Sequence, residues 1–310
     1  MAYDTAYHAP VMVGEVLKML APRPGGLYLD GTLGGGGHAE ALLEAEPEAR
    51  LIAVDRDPDA LREAGARLAK YGDRVRLVSA NYADAVEAAG IAPDSLSGAL
   101  LDLGISSHQV DEAERGFTFR PGAPLDMRMG RDSAAEASAA ELLNTLEEEE
   151  LANIFYRFGE EKRSRRLARI LVERRSVAPI STSDDLVRAI ESALTRPTAQ
   201  DRARIFQALR IAVNREIEGV ENALPRIRDA LAPGAVLVVL AYHSLEDRVV
   251  KDAFRSWSQS CTCPPGFPVC VCRGAPLGET LTRKPLSASE AEVARNPRAR
   301  SAHLRAWRRG

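Results

Sequence analysis

The sequence predicts an α/β fold: an open, doubly wound sheet interrupted by an inserted helical domain. Three observations predict it. Short runs rich in Leu, Ile and Val alternate with helical stretches at the start of the chain, and this alternation stops near Val110. After a charged, helical middle, one more apolar run appears at Val236.

Taken in order, Leu27 to Leu29, Leu51 to Val54, Val75 to Val78 and Ala99 to Leu103 are apolar runs rich in Leu, Ile and Val and read as buried parallel strands. Between them, Ala39 to Ala45 and Pro58 to Lys70 carry good helix formers, and Pro58 suits a first helical turn. The strand at Val236 to Leu240 follows Pro233 and Gly234. The expected division is therefore residues 1–110 as the first part of the sheet domain, 111–212 as the helical insertion, and 213–310 as the second part. Pro179 to Ser183 and Thr195 to Asp201 read as loops inside the insertion, and Pro264 to Gly278 as a surface excursion.

The chain has 310 residues, of which 45% are hydrophobic and 5% aromatic, an ordinary composition for a soluble globular protein. No apolar run approaches the roughly 18 residues that cross a membrane, and the N-terminus lacks a signal-peptide pattern, so a cytoplasmic address and no membrane partner are expected. The formal net charge of −3 gives no support to nucleic-acid binding. Locally, however, Lys162, Arg163, Arg165, Arg166, Arg169, Arg174 and Arg175 share one helical stretch. Arg295, Arg298, Arg300, Arg305, Arg308 and Arg309 crowd the C-terminus. Each segment is either an RNA-gripping surface or, more plainly, a solvated helix face and a tail.

The first strand runs through Asp30 into Gly31-Thr32-Leu33-Gly34-Gly35-Gly36-Gly37-His38 and then a helix. Such a loop lets a ligand approach bare backbone, and the second strand ends in Asp55, placed to accept ribose hydroxyls. Strand, glycine loop, helix and acid in that order describe a nucleoside cofactor at the carboxyl edge of the sheet. Gly34, Gly36 and Ala39 also satisfy a dinucleotide fingerprint, which keeps a nicotinamide-dependent oxidoreductase as an alternative. Asp30 favours S-adenosylmethionine, because an acid at the loop mouth repels a pyrophosphate and welcomes an ammonium group. Tyr82, after the third strand, is placed to pack on adenine or to cap the sheet edge.

The fourth strand ends in Asp102, followed by Leu103-Gly104-Ile105-Ser106-Ser107-His108-Gln109 beside the expected switch point. The exocyclic amine of a base is a poor nucleophile, since its lone pair is delocalised into the ring. A methylase must align that nitrogen and accept its hydrogen bond or proton as the new bond forms. Asp102 is the expected acceptor or cofactor-orienting group; the alternative is a turn cap. His243 and Ser244, after the fifth strand, are expected to contact the target base, while Asp247 and Arg248 could simply pair on the next helix. Arg115-Gly116-Phe117-Thr118-Phe119-Arg120 interleaves aromatics and arginines as a flipped base and its phosphates require, or packs the insertion. Cys261, Cys263, Cys270 and Cys272 form two C-x-C pairs able to hold zinc; free thiols in a loop are the alternative, and no metal is assigned.

These segments resemble the RsmH/MraW family of bacterial 16S rRNA (cytosine-N4)-methyltransferases over nearly the whole chain. The resemblance is carried by His8-Ala9-Pro10-Val11, Asp30 to Gly34, Gly36-Gly37-His38, Asp102 to Ser107, Arg115-Gly116-Phe117, and Pro124 to Met129. It continues through Phe155 to Glu161, Phe206 to Asn214, His243 to Arg248, Thr282 to Pro285, and Asn296 to Ser301. It implies a class I, Rossmann-like S-adenosylmethionine-dependent methyltransferase acting on N4 of a cytidine in the decoding centre of 16S rRNA, with the small ribosomal subunit as partner and a homodimer left open. It also implies that Gly36, Gly37, His38, Asp55, Tyr82, Asp102 and Gln109 line the cofactor pocket. The chain departs from the family pattern at His108 for proline, Gly122-Ala123 for Asp-Gly, Arg215 for an acid, and Tyr242 for phenylalanine. A third reading keeps the pocket on a non-catalytic ribosome-assembly RNA binder.

Overall fold

A computed structural model describes residues 10–130, 137–261, 263, 269, 271, 272 and 274–310. Its strands are β1 (Leu27–Asp30), β2 (Arg50–Asp55), β3 (Val75–Ser79), β4 (Leu96–Asp102), β5 (Leu231–Ala241), β6 (Gly278–Thr280), β7 (Leu286–Ser287) and β8 (His303–Arg309). They form one sheet in the order β3-β2-β1-β4-β5-β8-β6, with β7 also beside β8. β1 to β5 are mutually parallel, whereas β8 runs antiparallel to β5, β6 and β7. The order reverses between β1 and β4, which makes that pair the topological switch point of a doubly wound sheet.

In chain order the helices are α1 (Val13–Leu20), α2 (Gly37–Ala45), α3 (Pro58–Leu68), α4 (Ala85–Ala88), α5 (Ser107–Asp111), α6 (Ala139–Thr145) and α7 (Glu148–Gly159). There follow α8 (Ser164–Arg175), α9 (Ser183–Ala193), α10 (Ala199–Asn214), α11 (Glu216–Ala230), α12 (Ser244–Trp257) and α13 (Glu290–Arg295). Among the described residues no helix is long and apolar enough to cross a membrane.

Two compact units divide the chain: residues 1–104 with 217–310, and residues 105–216, so the cuts fall a few residues from the expected 110 and 212. In the first unit the period-2 geometry of the strands sends alternate side chains to opposite faces. Leu29, Val54, Leu101 and Val239 join Val220, Leu224 and Ile227 of α11 and Val250, Phe254 and Trp257 of α12 in one apolar layer. Tyr28, Leu51, Leu100 and Val238 join Val16 and Leu20 of α1, Leu42 and Leu43 of α2, and Ala64 and Leu68 of α3 in the other. Burial on both faces is why β1, β2, β4 and β5 read as apolar runs. β3 departs from that expectation, because it is the edge strand and its residues are half-buried or exposed.

β8 overturns one expectation. Three of the C-terminal arginines, Arg305, Arg308 and Arg309, belong to a strand of the sheet rather than to a tail, while Arg295, Arg298 and Arg300 precede it and are exposed. β8 lies inside the sheet between β5 and β6, and its arginines meet acids. Arg305, only 6% exposed, forms a two-pronged ion pair with Asp247 of α12 at 2.6 and 2.9 Å. Arg308 pairs with Glu279 and Arg309 with Asp94, at 2.8 and 2.9 Å. The strand's apolar positions, Leu304, Ala306 and Trp307, are fully buried, and Trp307 meets Trp257 edge-on at 5.1 Å.

The second unit is helical. α6, α9 and α10 each open with a capping box: Ser138 with Glu141, Thr182 with Asp185, and Thr198 with Asp201. Its core gathers Leu143, Leu151, Phe155, Leu167, Leu171, Leu186, Ile190, Ile205 and Leu209. α8 buries Ser164, Leu167, Ala168 and Leu171, three and four residues apart, and so turns Arg165, Arg166 and Arg169 outward. Arg115 is buried, donating to the Met129 carbonyl at 2.8 Å, and the Asn214 side chain bridges the Met127 carbonyl and the Met129 amide. Phe117 packs against this core. Phe119 keeps 44% exposure and meets Phe206 edge-on.

Candidate active site

At the switch point the glycine loop is tied to both neighbouring strands. The Gly31 amide donates to the Leu100 carbonyl at 3.0 Å, and the Leu33 amide donates to the Val54 carbonyl at 3.0 Å. The Thr32 hydroxyl accepts from the Asp102 amide at 2.6 Å. Gly34 and Gly36 have φ of 50° and 77°, the left-handed region that glycine enters without strain. Gly36 is also the N-cap of α2, whose first residues, Gly37 and His38, are buried. The loop thus presents backbone rather than side chains to the carboxyl edge of the sheet.

Three carboxylates surround it. Asp30, 3% exposed, accepts from the Thr32 amide at 3.1 Å. Burial pushes its pKa up to about 7; His38 and the Thr32 amide pull it down, while the Asp102 and Asp55 charges raise it further. Asp55 accepts from the Gly34 amide at 2.8 Å through one oxygen and from the Asp57 amide at 2.9 Å through the other. Burial raises Asp55 above the usual carboxylate range despite those bonds. The Arg56 amide also donates to Asp55, and the roughly four lone-pair sites of a carboxylate still leave room for a hydroxyl donor.

The Asp102 carboxylate is gripped from two sides. Oδ1 accepts from the Tyr242 hydroxyl at 2.7 Å, and Oδ2 stands 3.6 Å from His38 Nδ1. His38 Nε2 lies 2.8 Å from the Val11 carbonyl, which can only accept, so Nε2 carries a proton. The Nδ1 contact is an ion pair when His38 carries both protons. Burial, followed by the Asp102 charge, pushes the Tyr242 phenol well above its usual range, so it remains the donor. A Cβ on Gly104, at φ 107°, would come within 3.2 Å of the Tyr242 ring, so glycine there leaves room for it.

The structure thus brings Asp30, Gly34, Gly36, Gly37, His38, Asp55 and Asp102 together around one loop. Tyr82 follows β3 and packs its ring against Gly219 of α11, where a Cβ would approach the hydroxyl to 2.8 Å. Gln109 belongs to the helical unit, where its side-chain oxygen accepts from the Ser106 amide. His243 is the N-cap of α12: Nδ1 accepts from the Glu246 amide at 3.3 Å, and Nε2 lies 3.1 Å from the buried Glu246 carboxylate. Ser244 is exposed at the start of the same helix. Asp247 pairs with Arg305 of β8, not with its neighbour Arg248. Of the four cysteines, Cys270 lies outside the described residues. Sequence reasoning gave no role to Thr32 and noted Tyr242 only as a departure from the family pattern.

Residues 5–310 match the model of the MraW methylase family. A relative from Gemmatimonas aurantiaca, named ribosomal RNA small subunit methyltransferase H, is 55% identical over 97% of this chain and 95% of its own length. A second of the same name, from Geotalea uraniireducens, is 50% identical over 97% of each chain. Among solved structures, an rRNA methylase from Streptococcus thermophilus is similar over 96% of this chain and 93% of its own, at 10% identity and a TM-score of 0.42. A methylase family decides between the two nucleoside cofactors weighed from the glycine loop, in favour of the methyl donor S-adenosylmethionine over a nicotinamide dinucleotide. The chain belongs to the MraW methylase family.

Proposed function

We propose that the chain transfers a methyl group from S-adenosylmethionine to N4 of a cytidine in the decoding centre of 16S rRNA within the small ribosomal subunit. The bound donor supplies an electrophilic methyl group on a sulfonium. The observation that carries this reading is the position of Asp102: a carboxylate at the end of β4, at the switch point, oriented by Tyr242 and facing His38 beside the glycine loop.

The residues present fit the donor. Asp30 is a buried acid whose proton is loosely held near neutrality, and an incoming ammonium group favours its charged form. Asp55 holds the loop and offers its remaining lone pairs to ribose hydroxyls. The bare backbone from Gly34 to Gly37 admits the amino-acid end of the donor, and Tyr82 borders the adenine side. Asp102 accepts a hydrogen bond from the cytidine amine, which holds the nitrogen in line and stabilises the positive charge that develops as the bond to carbon forms. The names of the relatives support the substrate class, and the outward arginines of α8 supply the cations that RNA phosphates need. His243 and Ser244, at the start of α12, are the residues proposed to border the base.

The test is transfer of labelled methyl groups to small subunits lacking the modification, with the product nucleoside identified by mass spectrometry. N4-methylcytidine is expected. Labelling of protein or small molecules with none in subunit RNA overturns the proposal, and RNA binding without transfer favours the non-catalytic binder.

A further inference from the structure

The cysteines fall outside everything assigned above. All four of the sequence lie between positions 261 and 272. The Sγ atoms of the three that the structure describes, Cys261, Cys263 and Cys272, lie within 4.8 Å of one another, and those of Cys261 and Cys272 are 3.8 Å apart. A tetrahedral zinc ion with Zn–S bonds of about 2.3 Å separates its sulfur ligands by about 3.8 Å. The Cys261–Cys272 pair therefore stands at the spacing of a coordination edge, far beyond the roughly 2.05 Å of a covalent pair, and the third sulfur lies close by.

The surrounding chain needs such a centre. The excursion leaves α12 at Trp257 and returns at Leu277, whose amide donates to the Trp257 carbonyl at 2.8 Å, so its base is closed. Among the described residues beyond that base, Val269 and Val271 are 67% and 74% exposed and do not pack into a core. A thiolate-bound ion is one of the few devices that can fix so short a segment without a hydrophobic core.

We propose that Cys261, Cys263 and Cys272 hold a structural zinc ion through at least three thiolates, which staples the excursion between α12 and β6. Binding displaces one proton from each thiol and changes no oxidation state, so no oxidant or reductant is needed. The fourth position is open to a further ligand.

The experiment takes the full chain, purified without chelator, and measures metal by elemental mass spectrometry alongside the spectrum after exchange with cobalt(II). Expected are about one zinc per chain, intense tetrahedral cobalt bands, and a thiolate charge-transfer band whose strength corresponds to three or four sulfurs. Cys261→Ser and Cys272→Ser should each weaken metal retention against a competing chelator by at least about a hundredfold. Stripping the zinc should expose the excursion to limited proteolysis while leaving the far-ultraviolet circular dichroism nearly unchanged. Because the cobalt spectrum is read on the unaltered protein, misfolding of a serine variant does not obscure the answer. A chain that retains no zinc and gives a weak octahedral cobalt spectrum, a spectrum with two or fewer sulfurs, or zinc retention unchanged in both variants overturns the site.

Discussion

The carboxylates of the sheet unit fall into two groups with opposite electrostatics. Around the glycine loop, Asp30 and Asp55 are buried with backbone amides as their hydrogen-bond partners, and burial raises both pKa values. Toward β8, Asp247 is also partly buried, but the Arg305 guanidinium more than reverses the effect of burial and holds the carboxyl below its usual range. One group is paired by the chain's own cations and closes the fold. The other costs stability as it stands and, in the proposed function, would gain its cation from the bound donor, the pattern expected where a site is built for binding.

The largest way to break that comparison is at Asp102. Asp102→Asn keeps the shape and the Tyr242 contact but removes the charge that steadies the amine. Methyl transfer to small subunits should fall by about 10²–10⁴-fold with far less change in donor affinity. A loss confined to donor affinity would move Asp102 from the chemistry to cofactor orientation.

On the paired side, Arg305→Met preserves bulk and strands Asp247, which keeps only the weaker influence of Lys251 and of the His303 ring at 3.9 Å. The expected cost is about 3 kcal/mol of folding stability, read by denaturant unfolding, with the turnover of the remaining folded protein intact. Asp247 has a depressed folded-state pKa, so the pair's contribution is present above the ordinary aspartate pKa and is lost as pH falls through the depressed value. The variant and the parent should therefore converge in acid.

Asp30 carries the opposite sign. Its folded-state pKa of about 7 exceeds the ordinary 3.8, so between those values the folded chain keeps a proton that the unfolded chain has released. Stability therefore declines as pH rises through that window and levels off above it, at a cost of roughly 4 kcal/mol. Asp30→Asn should flatten this decline and raise the melting temperature at pH 8. It should also weaken S-adenosylmethionine binding, which in the parent protein strengthens as pH rises through about 7. A variant no more stable than the parent at pH 8 would contradict the reading of Asp30 as an uncompensated charge.

The two basic segments repeat the lesson at the surface. By sequence they look alike, but β8 spends Arg305, Arg308 and Arg309 on internal acids, whereas α8 turns Arg165 and Arg169 outward. Replacing both α8 arginines with alanine should lower the slope of log affinity against log salt for small-subunit RNA by up to about two units. Arg308→Ala should leave that slope unchanged.

What could be read from the sequence was whatever is local along the chain. The run from Asp30 to His38 carries its strand end, glycine turn and helix start in consecutive residues, and Asp55 and Asp102 each end an apolar strand. β8 was not legible, because Arg305, Arg308 and Arg309 look solvated until the distant Asp247, Glu279 and Asp94 are brought opposite them. Thr32, with its hydroxyl on the Asp102 amide, was hidden for the same reason: its partner lies 70 residues away.

Tyr242 is the clearest such case. Its partner Asp102 lies 140 residues away in sequence, so the role of the hydroxyl is one that only the folded sheet explains. A hydrogen bond to a charged acceptor contributes about 1.5–3 kcal/mol when buried, but Asp102 keeps 11% exposure and water can replace part of it. Tyr242→Phe should therefore fold normally, bind the donor as before, and lower the rate of methyl transfer only about three- to tenfold, with the smallest effect of the series. The informative comparison is the double variant with Asp102→Asn. If the hydroxyl acts by orienting the Asp102 carboxylate, adding Tyr242→Phe to Asp102→Asn should cost almost nothing further, because the charge it positions is already gone. Additive losses would place the hydroxyl's influence elsewhere, in the packing of the ring against Gly104.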